Sequence, residues 1–89
     1  MAIRRRVIVH GFVQGAFFRD TLRRHAESLG VSGWARNTRE GTVEAVFEGE
    51  PDAVERMVAL SREGPSGARV DRIEVVEEPL EGLGGFAIR

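Results

Sequence analysis

The sequence predicts an α+β domain in which a mostly antiparallel sheet carries two helices on one face. Three observations carry this expectation. Apolar residues, many of them β-branched, recur with period two in four separate runs. Two further runs, one after Gly15 and one from Pro51, repeat apolar residues at helical spacing. Most of the strand runs put a polar residue at every second position, the pattern of a sheet covered on one side and wet on the other.

The first strand is read from Val7, Val9, Gly11 and Val13, which alternate with Ile8, His10 and Phe12. Ahead of it, Arg4-Arg5-Arg6 reads as a solvated strand entrance. The strand ends in Gly11-Phe12-Val13-Gln14-Gly15, where two glycines mark a loop. Phe18, Leu22, Ala26 and Leu29 then lie on one face of a helix of about ten to twelve residues, and Gly30 stops it. Val31 to Asn37 is the second strand and Thr38-Arg39-Glu40-Gly41 a turn. In the third strand Val43, Ala45 and Phe47 point inward, while Glu44, Val46 and Glu48 face solvent.

Pro51 suits the first position of the second helix, whose covered stripe is Ala53, Val54, Met57, Val58, Leu60 and Ser61. Gly64-Pro65-Ser66-Gly67 breaks the chain, and Val70 to Glu78 form the fourth strand. Glu77-Glu78 and Glu81 read as a solvated strand end, Pro79 to Gly85 as a loop, and Phe86 and Ile88 as inward positions of a short fifth strand. This order is the split βαβ arrangement of a ferredoxin-like βαββαβ sandwich with one short strand added. Nothing in residues 1–89 reads as a linker, so one domain is expected.

Composition removes several classes of function. The 13 basic residues, all arginine, face 14 acidic ones for a net charge of -1, which argues against a nucleic-acid or anionic-membrane partner. Without cysteine there are no disulfides, thiolate metal sites or thiol nucleophiles, and without lysine no Schiff base and no P-loop. His10 and His25 have no evident third ligand, so no metal is expected. No run approaches the ~20 apolar residues of a membrane span. Val7-Ile8-Val9 falls short of a secretory core of about 7–15 residues, and a cytoplasmic monomer is expected. An RNA-binding sandwich needs aromatics on its open face, where this chain has Glu44 and Glu48.

Topology says where chemistry should sit. A helix that returns the chain across the sheet makes strands one and two parallel, so the Gly11–Gly15 loop, the first helix start and Asn37 should converge. Two glycines allow backbone N–H groups to turn toward an anion, and a helix start adds free donors and partial positive charge. Arg19 lies in the first helical turn, where a cation opposes the helix dipole. A bound phosphate would remove that conflict, and pairing with Asp20 or Glu40 is the alternative. A ferredoxin-like regulatory module that holds a small anion without turnover fits the same features.

At these residues the chain resembles the acylphosphatase family. Gly11-Phe12-Val13-Gln14-Gly15-Ala16-Phe17-Phe18-Arg19 is similar to the family's first signature, G-x-V-Q-G-V-x-F-R, and Gly33-Trp34-Ala35-Arg36-Asn37 to its second. The resemblance covers nearly the whole chain. It implies hydrolysis of small acyl phosphates, such as acetyl or carbamoyl phosphate, to a carboxylate and inorganic phosphate, with no metal and no cofactor. It further implies that Arg19 grips phosphate, that Asn37 positions the attacking water, and that the backbone of Gln14, Gly15, Ala16, Phe17 and Phe18 cradles the phosphoryl group. Ala16 stands where the family commonly has valine, and the tyrosine often found near the family's end is absent.

Overall fold

The computed structural model describes residues 1–89. Seven elements follow one another: β1 (Ile3–Phe12), α1 (Phe18–Leu29), β2 (Ser32–Asn37), β3 (Val43–Gly49), α2 (Pro51–Glu63), β4 (Arg69–Glu77) and β5 (Phe86–Ile88). The strands form one sheet in the order β4-β1-β3-β2-β5. Every neighbouring pair is antiparallel except β2 with β5, which run parallel. This is the expected ferredoxin-like sandwich, and β1 and β2 lie parallel on either side of β3.

Period two decides which residues enter the core. Val7 and Val9 of β1, Ala35 of β2, and Val43, Ala45 and Phe47 of β3 are buried beneath the helices. α1 covers them with Phe18, Leu22 and Ala26, four residues apart, and α2 with Val54, Met57 and Val58. Ser61 is also fully buried, and its hydroxyl donates to the Met57 carbonyl at 2.8 Å, which satisfies it inside the helix. β5 joins the core through Phe86, whose ring stacks on Phe47 with centroids 6.1 Å apart.

The other sheet face departs from expectation. Glu44, Val46 and Glu48 do point away from the helices, but all three are buried. Arg4, expected to be solvated, is buried with them. The cover is a lattice of charges. Arg36 donates to Glu44 at 2.6 Å, Arg6 joins Glu44 at 3.0 Å to Glu78 at 2.7 Å, and Arg4 joins Glu78 at 3.0 Å to Glu48 at 2.8 Å. Glu78 is therefore a shielded member of the lattice and not a solvated strand end. The loop after it is pinned as well: the backbone N–H groups of Glu81, Gly82 and Leu83 donate to the Glu48 carboxylate at 2.8, 3.1 and 3.2 Å. Cross-strand register explains the match, since Arg4 stands opposite Glu48 and Arg36 opposite Glu44.

These contacts set the acidity of the carboxyl groups. Burial works against ionised Glu48, but the three loop N–H donors and Arg4 outweigh it and hold its pKa below the usual carboxylate value. Hydrogen bonds from Arg4 and Arg6 do the same for Glu78. A folded-state pKa below the unfolded one gives stability that is complete above about pH 4.3 and is lost as pH falls through the folded value. Glu48→Ala should therefore destabilise the protein by about 3 kcal/mol at neutral pH. In urea unfolding curves that deficit should narrow progressively as pH falls below about 4.3, as the parent carboxylate takes up its proton.

Candidate active site

Sheet register brings the two expected segments to one edge. Asn37 ends β2 opposite Val43, and Val43 lies opposite Val9 of β1. β1 runs on to Phe12, so the loop that follows it overhangs Asn37. Between His10 and Gly11 the pairing with β4 steps from Arg72 to Val70, a bulge that bends the strand end just before the loop. Gly11 is needed at this step, because a Cβ there would overlap the backbone of Arg69.

The loop takes its shape from two left-handed residues. Gly15 and Phe17 have φ of 79° and 58°, and Phe17 is the one non-glycine residue in the chain with positive φ. Alternation of left- and right-handed backbone turns successive N–H groups to the same side. Phe17 occupies the position before α1 and makes no side-chain cap. None of the N–H groups from Gly15 to Asp20 donates to a backbone carbonyl, and the first helical bond is Thr21 N–H to Phe17 O at 2.9 Å. The Phe17 side chain is 79% exposed, so no burial of the ring holds it in its strained conformation.

Arg19 and Asn37, eighteen positions apart in the chain, line one cavity of about 230 Å³ together with Gly15, Phe17, Asp20 and Ile88. Arg19 is its cation and Asn37 its carboxamide. Asp20 does not neutralise Arg19, since its carboxylate is engaged by Arg23 at 2.6 Å and Arg24 at 3.2 Å. Arg19 instead donates from Nη1 to the main-chain oxygen of Arg89 at 3.2 Å. That oxygen is brought there by β5, whose Arg89 N–H donates to Ala35 O at 2.9 Å and whose Arg89 guanidinium lies 4.6 Å from the Trp34 ring centre.

The remaining cradle residues fall into two groups. Gly15, Phe17 and Phe18 border the cavity, whereas Gln14 and Ala16 do not. The Gln14 side chain turns away from it and donates from Nε2 to the carbonyls of Thr38 at 2.8 Å and Thr42 at 3.0 Å. The sequence reading also overlooked Ile88 and the Arg89 oxygen as parts of this edge. The parallel placement of the fifth strand beside the second was the signal needed to find them, and a three-residue strand carries too short a pattern to fix it. His10 lies on the outer face with Glu74 at 2.6 Å, and nowhere do three His, Asp or Glu side chains form a group that could hold a metal ion.

Fold and cavity together define a ferredoxin-like α+β protein with a cavity at an uncapped helix start, faced by one guanidinium and one carboxamide. The family model for acylphosphatases matches residues 5–88. An acylphosphatase of Rubrobacter xylanophilus is 58% identical over 85 residues, covering 94% of this chain and 77% of that protein. One from Thermococcus kodakarensis is 48% identical over 97% of this chain and 94% of that protein. The chain belongs to the acylphosphatase family, whose members are hydrolases of acyl phosphates. Among solved structures, an acylphosphatase from Coxiella burnetii superposes with a TM-score of 0.94 at 36% identity, over 99% of this chain and 93% of that one. Full-length HypF, in a phosphate- and nucleotide-bound form, matches with a TM-score of 0.93 at 26% identity, but over only 12% of its own length.

Strain at Phe17 is open to direct measurement. A left-handed non-glycine residue costs about 1–2 kcal/mol and glycine's extra unfolded freedom about 0.5–1 kcal/mol. Phe17→Gly should thus leave stability unchanged or raise it by up to about 1.5 kcal/mol in urea unfolding. Phe17→Val, β-branched at the same φ, should lower it by about 1 kcal/mol or more.

Proposed function

We propose that this chain hydrolyses the carboxyl–phosphate bond of small acyl phosphates without a metal, with Arg19 and the Gly15–Phe18 backbone holding the phosphoryl group and Asn37 orienting the water. The observation that carries this reading is that Arg19 and Asn37 share one cavity with an uncapped helix start. Free N–H donors and a guanidinium answer the charge of phosphoryl oxygens by charge-assisted hydrogen bonds. A carboxamide can accept a hydrogen bond from water with its oxygen and so aim the water lone pair at phosphorus.

The sparse set of groups suits this substrate. Water oxygen bonds to phosphorus, the bridging P–O bond breaks, and its electron pair leaves on the carboxylate. The conjugate acid of that leaving group has a pKa of about 4, so it departs as an anion and needs no proton donor. The water proton passes to a phosphoryl oxygen of the substrate. What the protein must supply is electrostatic relief and alignment, and a fixed cradle supplies both with little reorganisation. A phosphate monoester, whose alkoxide leaving group requires a proton, is a poor fit for a cavity whose one carboxyl group, Asp20, is engaged by Arg23 and Arg24. Arg19 meets the opposing field of the α1 dipole, and a phosphoryl group between them converts that repulsion into two attractions.

The two residues should separate in kinetics of benzoyl phosphate hydrolysis. Arg19→Ala should lower kcat/KM by about 100-fold or more and abolish inhibition by inorganic phosphate, with an unaltered circular dichroism spectrum. Asn37→Ala should lower kcat by about 100-fold while the phosphate inhibition constant stays within about threefold of the parent. Parental turnover in either variant would overturn the role given to that residue. A chelator in the assay should leave the rate unchanged, and an inhibited enzyme would overturn the metal-free mechanism.

A further inference from the structure

We propose that the Gln14 side chain is a positioning residue that sets the spacing between the phosphate cradle and the Asn37 carboxamide. The inference rests on the catalytic reading of Asn37 given above. Gln14 precedes Gly15, the first residue of the cradle that borders the cavity, and Thr38 follows Asn37. The Gln14 amide spends its two protons on this turn, one on Thr38 O at 2.8 Å and one on Thr42 O at 3.0 Å. It is a rigid cross-piece between the two segments that reaction geometry requires to be in register, one residue from each.

Satisfying the turn does not require this cross-piece. Thr42 O already accepts Thr38 N–H at 2.9 Å, and Thr38 O accepts Gly41 N–H at 3.3 Å. The Thr38 and Thr42 hydroxyls are joined at 2.6 Å, and Thr42 N–H donates to Thr38 Oγ1 at 3.3 Å. The turn is closed by its own residues, so removing the Gln14 amide leaves no carbonyl without a donor. The amide adds the one hydrogen-bonded link between the loop before α1 and the turn after Asn37. Phosphate affinity depends on the cradle and Arg19 alone, whereas turnover depends on the distance and angle from the cradle to Asn37. Loss of the cross-piece should therefore show in kcat and not in phosphate binding.

The test uses four proteins: the parent, Gln14→Met, Asn37→Ala and the double variant. Methionine keeps the length and packing of glutamine without its donors, and Gln14→Ala serves in its place should the methionine variant fail to fold. Gln14→Met should lower kcat for benzoyl phosphate by about 10-fold or more per folded molecule, with the inorganic phosphate inhibition constant within about threefold of the parent. In the Asn37→Ala background the same substitution should lower kcat by less than about twofold, because a residue that acts through Asn37 has nothing left to position. Gln14→Asn, too short to reach both carbonyls, should not restore the rate.

Parental kcat in Gln14→Met would overturn the proposal, as would equal losses in both backgrounds or a rise in the inhibition constant matching the loss of kcat. These outcomes differ from failure of the catalytic reading, in which Asn37→Ala itself turns over at the parental rate. That result would also remove the basis for a positioning role.

Discussion

The site depends on a helix that begins without a side-chain cap. α1 starts after a left-handed phenylalanine that offers no side-chain oxygen to its first turn, and the N–H groups from Gly15 to Asp20 find no carbonyl. Most helices satisfy these donors locally with Ser, Thr, Asp or Asn, a contact worth about 1 kcal/mol. Here the donors stay available to a ligand, and Arg19 adds positive charge where the helix dipole is already positive. The stability given up at this end is returned by the apolar stripe of Phe18, Leu22 and Ala26 against the sheet, and by Asp20, whose charge favours the helix start while it holds Arg23 and Arg24.

The rest of the architecture keeps this helix start opposite Asn37. β3 lies between β1 and β2 and makes their ends coincide; the bulge at His10–Gly11 bends the loop, and the β2–β3 turn closes on itself beside it. On the far face, Arg4 and Glu48 hold the 81–83 segment to the sheet, and that segment leads directly into β5. β5 in turn supplies Ile88 to the cavity and the oxygen that receives Arg19. A buried charge lattice on one side of the sheet is thus physically continuous with the pocket edge on the other.

Element types and the meeting of Arg19 with Asn37 were legible because both follow from local pattern and chain direction. Val7 and Val9, or Phe18, Leu22 and Ala26, declare their faces by spacing alone, and a helix between two strands of one sheet makes those strands parallel. The burial of Glu44 and Glu48 was not legible, because alternation tells which face a residue points to and nothing about what lies over it. Their cover comes from Arg4, Arg6 and the segment near residue 81, all distant along the chain. Charge complementarity between Arg4 or Arg6 on one strand and Glu44 or Glu48 on another was the available signal, visible only once the strands are paired. Phe17 was hidden for a different reason: a left-handed backbone is written in sequence by glycine or asparagine, and a phenylalanine there gives no sign.

Contact between Arg19 and residue 89 is made through a main-chain oxygen, a group that every amino acid possesses. The identity of the side chain at position 89 is thereby uncoupled from the grip on the guanidinium, which asks only that the strand bring this backbone to the cavity edge. Position 89 is left free to evolve for surface purposes, as its arginine does by lying over Trp34, while the pocket beneath keeps its shape.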